Sequence, residues 1–479
     1  MSSFLYPLLL FSGYTLALIL LTGPSFSWNE TRRSFYVGRN RAGLFASLST
    51  FCATWLSVVS LVGYTVWLHN DGYSAFMGSV NGWLLGLVFM PFFVRRLRAS
   101  RSLSVPDWLA ATYNDDRLRP LGGAVLLFTY LFYLVIQFEG VDAVVGHMLG
   151  IPNGTVSIFL IFLFVLYTTL GGYASVVRSD VLNLLFILVG VTVPAAYILR
   201  ETGGIGQIHA HLSYSAPQML SGTTSLSAAF STFALMFAWG LGVAVNPQYG
   251  IRIIAARRTK DAYWMLCLAP VVLGWVYFSV TMIGLGCRIL SPGLSSVAEL
   301  SFPTLLSDAL PLSVSMFFLV AALAAAVSTM NSQLLLAAGS LCHDLWPFFA
   351  GITEKKEACD HPMCEERFLF ANRLAVGVLL FIVIFLAQLK MPEMLLIGRY
   401  SWTLIAVCFA APLLVPQLVP PKGLFECLAG SLIFHIAIMP LFKLPPEMAL
   451  MGTLLVQLCL FLFCRWKYAS KRSSLHEPS

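Results

Sequence analysis

Charged side chains are scarce in this chain: 29 Lys and Arg with 22 Asp and Glu make up 11% of 479 residues, less than half the share usual in soluble domains. So few charges cannot cover the surface of the two or three soluble domains that such a length implies. A soluble enzyme is therefore excluded, and no basic face suited to nucleic acid is present. No Gly-rich loop ending in Gly-Lys-Ser/Thr occurs, so ATP is not the energy source. No His/Asp/Glu cluster or nucleophile motif gathers on one side of the chain, which argues against a membrane enzyme. The ten Cys mostly fall inside apolar stretches and read as small buried hydrophobes, not a disulfide framework. Cys359, His361 and Cys364, with His343, hint at a metal site but lack a fourth ligand at finger-like spacing.

What the chain has instead is apolar length, with hydrophobic residues at 58%. Thirteen runs are long enough to cross about 30 Å of hydrocarbon as helices. They cover 4–22, 44–68, 73–94, 121–142, 155–174, 181–199, 227–248, 263–286, 311–342, 368–387, 394–415, 424–442 and 447–464. The first run is preceded by Met1-Ser2-Ser3, without positive charge, and is not followed by a small-residue cleavage pattern. It reads as a span, not a cleaved signal peptide.

The net charge of +7 then reports topology. With the N-terminus outside, 23 Lys and Arg fall on inner segments and 4 on outer ones, and Arg373 and Arg399 sit at span ends. Such a bias predicts an odd number of spans, with the N-terminus outside and the C-terminus in the cytoplasm of a plasma membrane.

Chains with many spans and little else usually move something through the bilayer, and midplane sites form where helices unwind and expose carbonyls. Span 2 mixes hydroxyl and small residues from Ser49 to Gly63. Span 9 reads Ala321 to Gln333, an Ala-rich helix with a polar patch. Ser328 and Thr329 supply two neutral hydroxyls, and carbonyls around Ala53, Leu56 and Ala325 would complete a cage for a hard monovalent cation. The competing reading of these small-residue faces is helix packing.

The segment Tyr167-Thr168-Thr169-Leu170-Gly171-Gly172-Tyr173 through Asp180 resembles the signature of the sodium:solute symporter family. Ala53 to Gly63 resembles that family's broken first core helix, Pro247-Gln248 to Arg252 its sixth, and Ser328 to Leu335 its eighth. The resemblance implies an all-α integral membrane protein with a LeuT-type core of two inverted five-helix repeats. Residues 44–199 (spans 2 to 6) would form the first repeat and 227–415 (spans 7 to 11) the second. The first helix, 1–26, and spans 12 and 13, 424–466, would be peripheral, with a cytoplasmic tail at 467–479. Carried over by position, a Na⁺ site falls on Ala53, Leu56, Ala325, Ser328 and Thr329, with Asp180 on its inner exit path. The implied activity is Na⁺-coupled symport of a small polar organic solute by alternating access, without an organic cofactor. Its partners would be the solute and the lipid bilayer. A proton-coupled or uniport carrier, or a non-transporting solute sensor, is the alternative.

The broken first helix carries no carboxylate, unlike the family's proline carriers, and Trp55 and Ser60 stand where its sugar carriers have amide and acidic residues. Candidate solute contacts are Trp55, Ser57, Ser60, Gln137, Glu139, Trp239, Asn246 and Tyr400. Arg399 would either pair with a solute carboxylate or snorkel to headgroups. Gly171 and Gly172 end a span just before Asp180 and permit a hinge there.

Overall fold

The computed structural model describes residues 2–23, 30–38, 42–100, 102–150, 154–222, 225–291, 302–350, 362–389 and 394–473. Among these the chain is helical from end to end, as apolar sequence in a bilayer must be to satisfy its backbone internally. Eleven helices are long and apolar enough to cross a membrane, and a twelfth span arises if the bent pair Leu44–Trp55 and Val59–Asp71 counts as one. The expected thirteen spans are not all confirmed. The expected spans 155–174 and 181–199 fall in the run Thr155–Glu201, where two helices meet at a kink on Gly172, whose backbone is non-helical; of this run the part Gly171–Glu201 is among the eleven.

Two helices are interrupted in mid-span. The first runs Leu44–Trp55, leaves helical geometry at Leu56 (φ −81°, ψ 129°) and resumes through a π-helical turn, Val59–Gly63, into Tyr64–Asp71. The halves are bent by 63°. Local side chains satisfy the amides that the break releases: Ser60 Oγ accepts from the Ser57 amide at 2.7 Å, and Gln137 Oε1 from the Val58 amide at 3.1 Å. The second interruption separates Leu226–Ala244 from Pro247–Ala255. Asn246 caps the new helix by accepting from the Gln248 amide at 2.9 Å, and Pro247 stands in the first turn, where no N–H is missed. The sequence reading ends its span at 248, just past this break.

Against these breaks packs the Leu312–Gly339 helix, buried on every side from Val320 to Leu335. Its run of Ala321, Ala322, Ala324, Ala325 and Ala326 lets neighbouring backbones approach closely. One end of the bundle is rich in Arg. There Arg96 donates to the Leu413 carbonyl at 2.7 Å, Arg98 to the Ile253 and Ala256 carbonyls at 2.8 and 2.7 Å, and Arg119 to the His343 carbonyl at 2.8 Å.

Candidate ion and solute site

The five oxygens expected to cage a cation converge. Ser328 Oγ lies 2.8 Å from the Ala53 carbonyl and 2.9 Å from that of Ala325, and Thr329 Oγ1 lies 3.0 Å from the Leu56 carbonyl. All five residues are buried. Their convergence follows from the break at Leu56, which turns its carbonyl away from the helix ladder and toward the Leu312–Gly339 helix. A cluster of neutral oxygens with no fixed positive charge among its five members suits a hard, weakly polarising cation.

Below this cluster lies a buried polar layer that the sequence reading only partly foresees. Asp180 accepts from Thr50 at 2.5 Å and from Thr54 at 3.3 Å. The Arg252 guanidinium, 1% exposed, stands 3.9 Å from the same carboxylate oxygen. It also donates to Thr54 Oγ1 at 2.8 Å and to Ser332 Oγ. Gln248 donates to the Thr54 carbonyl and accepts from Gln333, each at 3.0 Å. Asp180 is therefore not open to solvent in this conformation, because Arg252 closes over it. The signal for Arg252 was its position one turn after Gln248, too weak in one sequence to separate from the basic segment that follows.

On the other side of the break, Trp55, Ser57, Ser60 and Trp239 line one cavity, as expected, joined by Trp83, Tyr133, Tyr249, Tyr277 and Trp402. Its volume, about 20 Å³, is room for a single water. A solute must therefore spread these walls to bind. Most of the hydroxyls are engaged with one another: Ser57 Oγ with Tyr133 at 3.2 Å, and the Trp55 indole N–H with Tyr277 at 3.0 Å. The indole nitrogens of Trp239 and Trp402 are buried without a hydrogen-bond partner.

The other expected contacts lie elsewhere. Gln137 supports the helix break, and Asn246 is a helix cap that also accepts from Tyr130 at 2.8 Å. Glu139 is half-buried on the Leu118–Leu149 helix and does not line the cavity. Tyr400 faces a lateral apolar groove with Phe128, Phe132 and Leu404. Arg399 pairs with Glu447 at 3.4 Å, not with the cavity. Cys359 and His361, and the side chain of Cys364, lie outside the described residues. Among the described residues no three His, Cys, Asp or Glu are placed to hold a metal ion.

Comparison with known proteins resolves the class. The model of the sodium:solute symporter family matches residues 35–418. The chain belongs to the sodium:solute symporter family. It is a Na⁺-coupled membrane transporter, not an enzyme. It is 26% identical to the sodium/pantothenate symporter of Escherichia coli (strain K12) over 371 residues, which cover 76% of this chain and 74% of that one. To the high-affinity proline transporter PutP of Bacillus subtilis (strain 168) it is 24% identical over 347 residues, 70% of each chain. A solved Na⁺-coupled sialic acid symporter, substrate-bound and outward-open, superposes with a TM-score of 0.78 at 17% identity, over 94% of this chain and 96% of that one. This likeness establishes the LeuT-like fold.

Proposed function

We propose that this symporter binds Na⁺ between the Ala53, Leu56 and Ala325 carbonyls and the Ser328 and Thr329 hydroxyls, and takes a small polar organic solute into the adjoining aromatic cavity. The observation that carries the reading is that, at a helix break, the Ser328 hydroxyl lies 2.8 and 2.9 Å from the Ala53 and Ala325 carbonyls and the Thr329 hydroxyl 3.0 Å from that of Leu56. Binding of Na⁺ replaces the hydrogen bonds between hydroxyls and carbonyls with ion–oxygen contacts, ties the broken helix to the Leu312–Gly339 helix, and orders Trp55 and Ser57 for the solute. The two core repeats, 44–199 and 227–415, then alternate access around this point, with Gly171 and Gly172 flexing at one wall.

The Arg-rich end is assigned to the cytoplasm on the positive-inside bias, which leaves the N-terminus outside. Asp180 then lies on the inner side of the ion, and Arg252 must release it before the ion departs inward. Each Na⁺ moving inward gains about 2.3 kcal/mol per 100 mV. At about 1.4 kcal/mol per decade, that voltage alone sustains more than a tenfold solute gradient.

Pantothenate and proline, the solutes named in the relatives' descriptions, are the first probes, tested as radiolabelled solutes in proteoliposomes with Na⁺ or K⁺ outside. Accumulation that requires Na⁺ and is lost in Ser328→Ala/Thr329→Ala supports the site. Uptake that ignores the substitution overturns it.

A further inference from the structure

A second cavity, apolar on one side and polar on the other, lies toward the Arg-rich end, about 20 Å³ in volume and thus the size of one water or one bare ion. Ser340, His343 and Asp344 line it from a π-helical turn, Ser340–Leu345, that ends the Leu312–Gly339 helix. Ser104, the cap of the short helix Val105–Tyr113, and Tyr36 close it. Turns of this kind are rare and concentrate at functional sites.

Two features of Asp344 call for a ligand. It is 1% exposed. One carboxylate oxygen accepts from Ser104 at 2.7 Å, and the other is buried with no partner. Asp107, on Val105–Tyr113, stands 3.8 Å from His343 and accepts from the Leu103 amide at 2.9 Å, and Arg119 donates to the His343 carbonyl at 2.8 Å.

Position supplies the rest. Ser332, Leu336, Ser340 and Asp344 recur every four residues below Ser328, a spacing that winds about 40° per step around the helix. At 1.5 Å per residue Asp344 lies roughly 24 Å along the axis from Ser328. The opposite wall is Pro247 and Ile251, on the helix that also carries Gln248 and Arg252. The cavity is thus continuous in sequence and in packing with the polar layer under the proposed ion site.

We propose that Asp344, with the Ser104 and Ser340 hydroxyls, forms a second and weaker Na⁺ station between the proposed ion site and the Arg-rich end. It rests on the reading of Ser328 and Thr329 as the first site. One carboxylate with two hydroxyls provides the hard oxygen ligands of a monovalent ion. A weak station lowers the barrier to release by holding the ion part-way, once Arg252 has let it pass Asp180.

The test is equilibrium binding of radioactive Na⁺ to the purified full-length protein in a K⁺ background, with no solute present. Wild-type protein is expected to show a tight and a weak component. Asp344→Asn, which keeps the shape and the Ser104 hydrogen bond, should lose the weak component and leave the tight affinity within twofold. Ser104→Ala should weaken it at least threefold in the same direction. Ser328→Ala/Thr329→Ala should do the reverse, removing the tight component alone, so that failure of the first site and failure of this one are separable. Two results overturn the proposal: Asp344→Asn leaving both components, or reducing both together.

Discussion

The Gln248 side chain donates to the Thr54 carbonyl at 3.0 Å, so the second half of one broken helix is hydrogen-bonded to the last turn before the break in the other. Its carbonyl oxygen accepts from Gln333 on the Leu312–Gly339 helix, also at 3.0 Å. One amide thus joins the three segments whose relative position determines whether the oxygens of Ala53, Leu56, Ser328 and Thr329 converge. Gln248→Leu leaves the Gln333 amide N–H without its partner, at about 1 to 3 kcal/mol, and the Thr54 carbonyl with only the longer 3.4 Å contact from Thr329. The expected outcome is a lower melting temperature in detergent together with a weaker apparent Na⁺ affinity. A variant with wild-type melting and Na⁺ response would show that the bridge does not position the site.

Ser328→Ala and Thr329→Val each remove one hydroxyl while keeping most of the buried volume. Apparent Na⁺ affinity should fall at least tenfold, equivalent to about 1.4 kcal/mol, and the fold should survive. Ligand binding stabilises the folded state by RT ln(1 + [L]/Kd). The rise in melting temperature when K⁺ is exchanged for Na⁺ should therefore shrink in either variant and vanish in the pair. An undiminished Na⁺-specific rise would remove these hydroxyls from the ion site.

Arg252 and Asp180 are 1% and 0% exposed and sit 3.9 Å apart. Removing one partner of such a pair strands a buried charge, typically at 3 to 5 kcal/mol. Arg252→Met and Asp180→Asn should each cost stability and transport, and the double variant should be less unstable than the sum of the two. That non-additivity, read from a double-mutant cycle of melting midpoints, is the signature of direct pairing. Strict additivity would mean that Arg252 is held by Thr54 and Ser332 alone.

The Trp239 and Trp402 indole N–H groups are buried in the cavity wall without a partner. Substituting Phe keeps the ring and removes the donor. If a solute oxygen accepts from either, KM for Na⁺-driven uptake should rise several-fold with little change in the maximal rate, the pattern of a lost ground-state contact. A change confined to the maximal rate would place these rings in the conformational cycle instead.

The membrane class and the Na⁺-coupled family were legible in the sequence, because apolar run length and motif order are local properties. Ser328 and Thr329 stood out as polar residues in an otherwise Ala-rich helix, and their hydroxyls do contact the Ala53 and Leu56 carbonyls. Arg252 was harder. Its charge looked like one more basic residue near Arg257 and Arg258, and only the packing shows it turned inward to Asp180. Gln137 and Asn246 were read as solute contacts because polar side chains in a span must serve something. The structure gives them the backbone as partner, at the two helix breaks, a need that appears only once the breaks are located. Tyr400 and Trp402 differ by two residues and face opposite ways, one to a lateral groove and one to the cavity, and hydropathy cannot make that distinction. The kink at Gly172, between the expected spans 155–174 and 181–199, lies just before the boundary read from the sequence, because a glycine's backbone freedom leaves no mark in hydropathy.

That glycine offers the sharpest test of movement. Gly172 has φ 50° and ψ −149° inside Thr155–Glu201, a region that side chains rarely adopt. A Cβ added there would meet Phe35 Cδ2 at 2.7 Å. Gly172→Ala therefore adds backbone strain of about 1 to 2 kcal/mol to a steric clash, and the protein can escape both only by straightening the bend. Phe35→Ala in the same chain relieves the contact with the ring, but not the 3.0 Å contact with the residue 35 carbonyl or the strain. If the bend is fixed, the single variant should melt several degrees lower, the double should recover part of that loss, and uptake should follow stability. If the bend is a hinge, the double variant should regain stability while Na⁺-driven uptake stays at least fivefold low, because the left-handed conformation itself is then needed in the cycle. Full recovery of uptake in the double variant would reduce Gly172 to a packing residue.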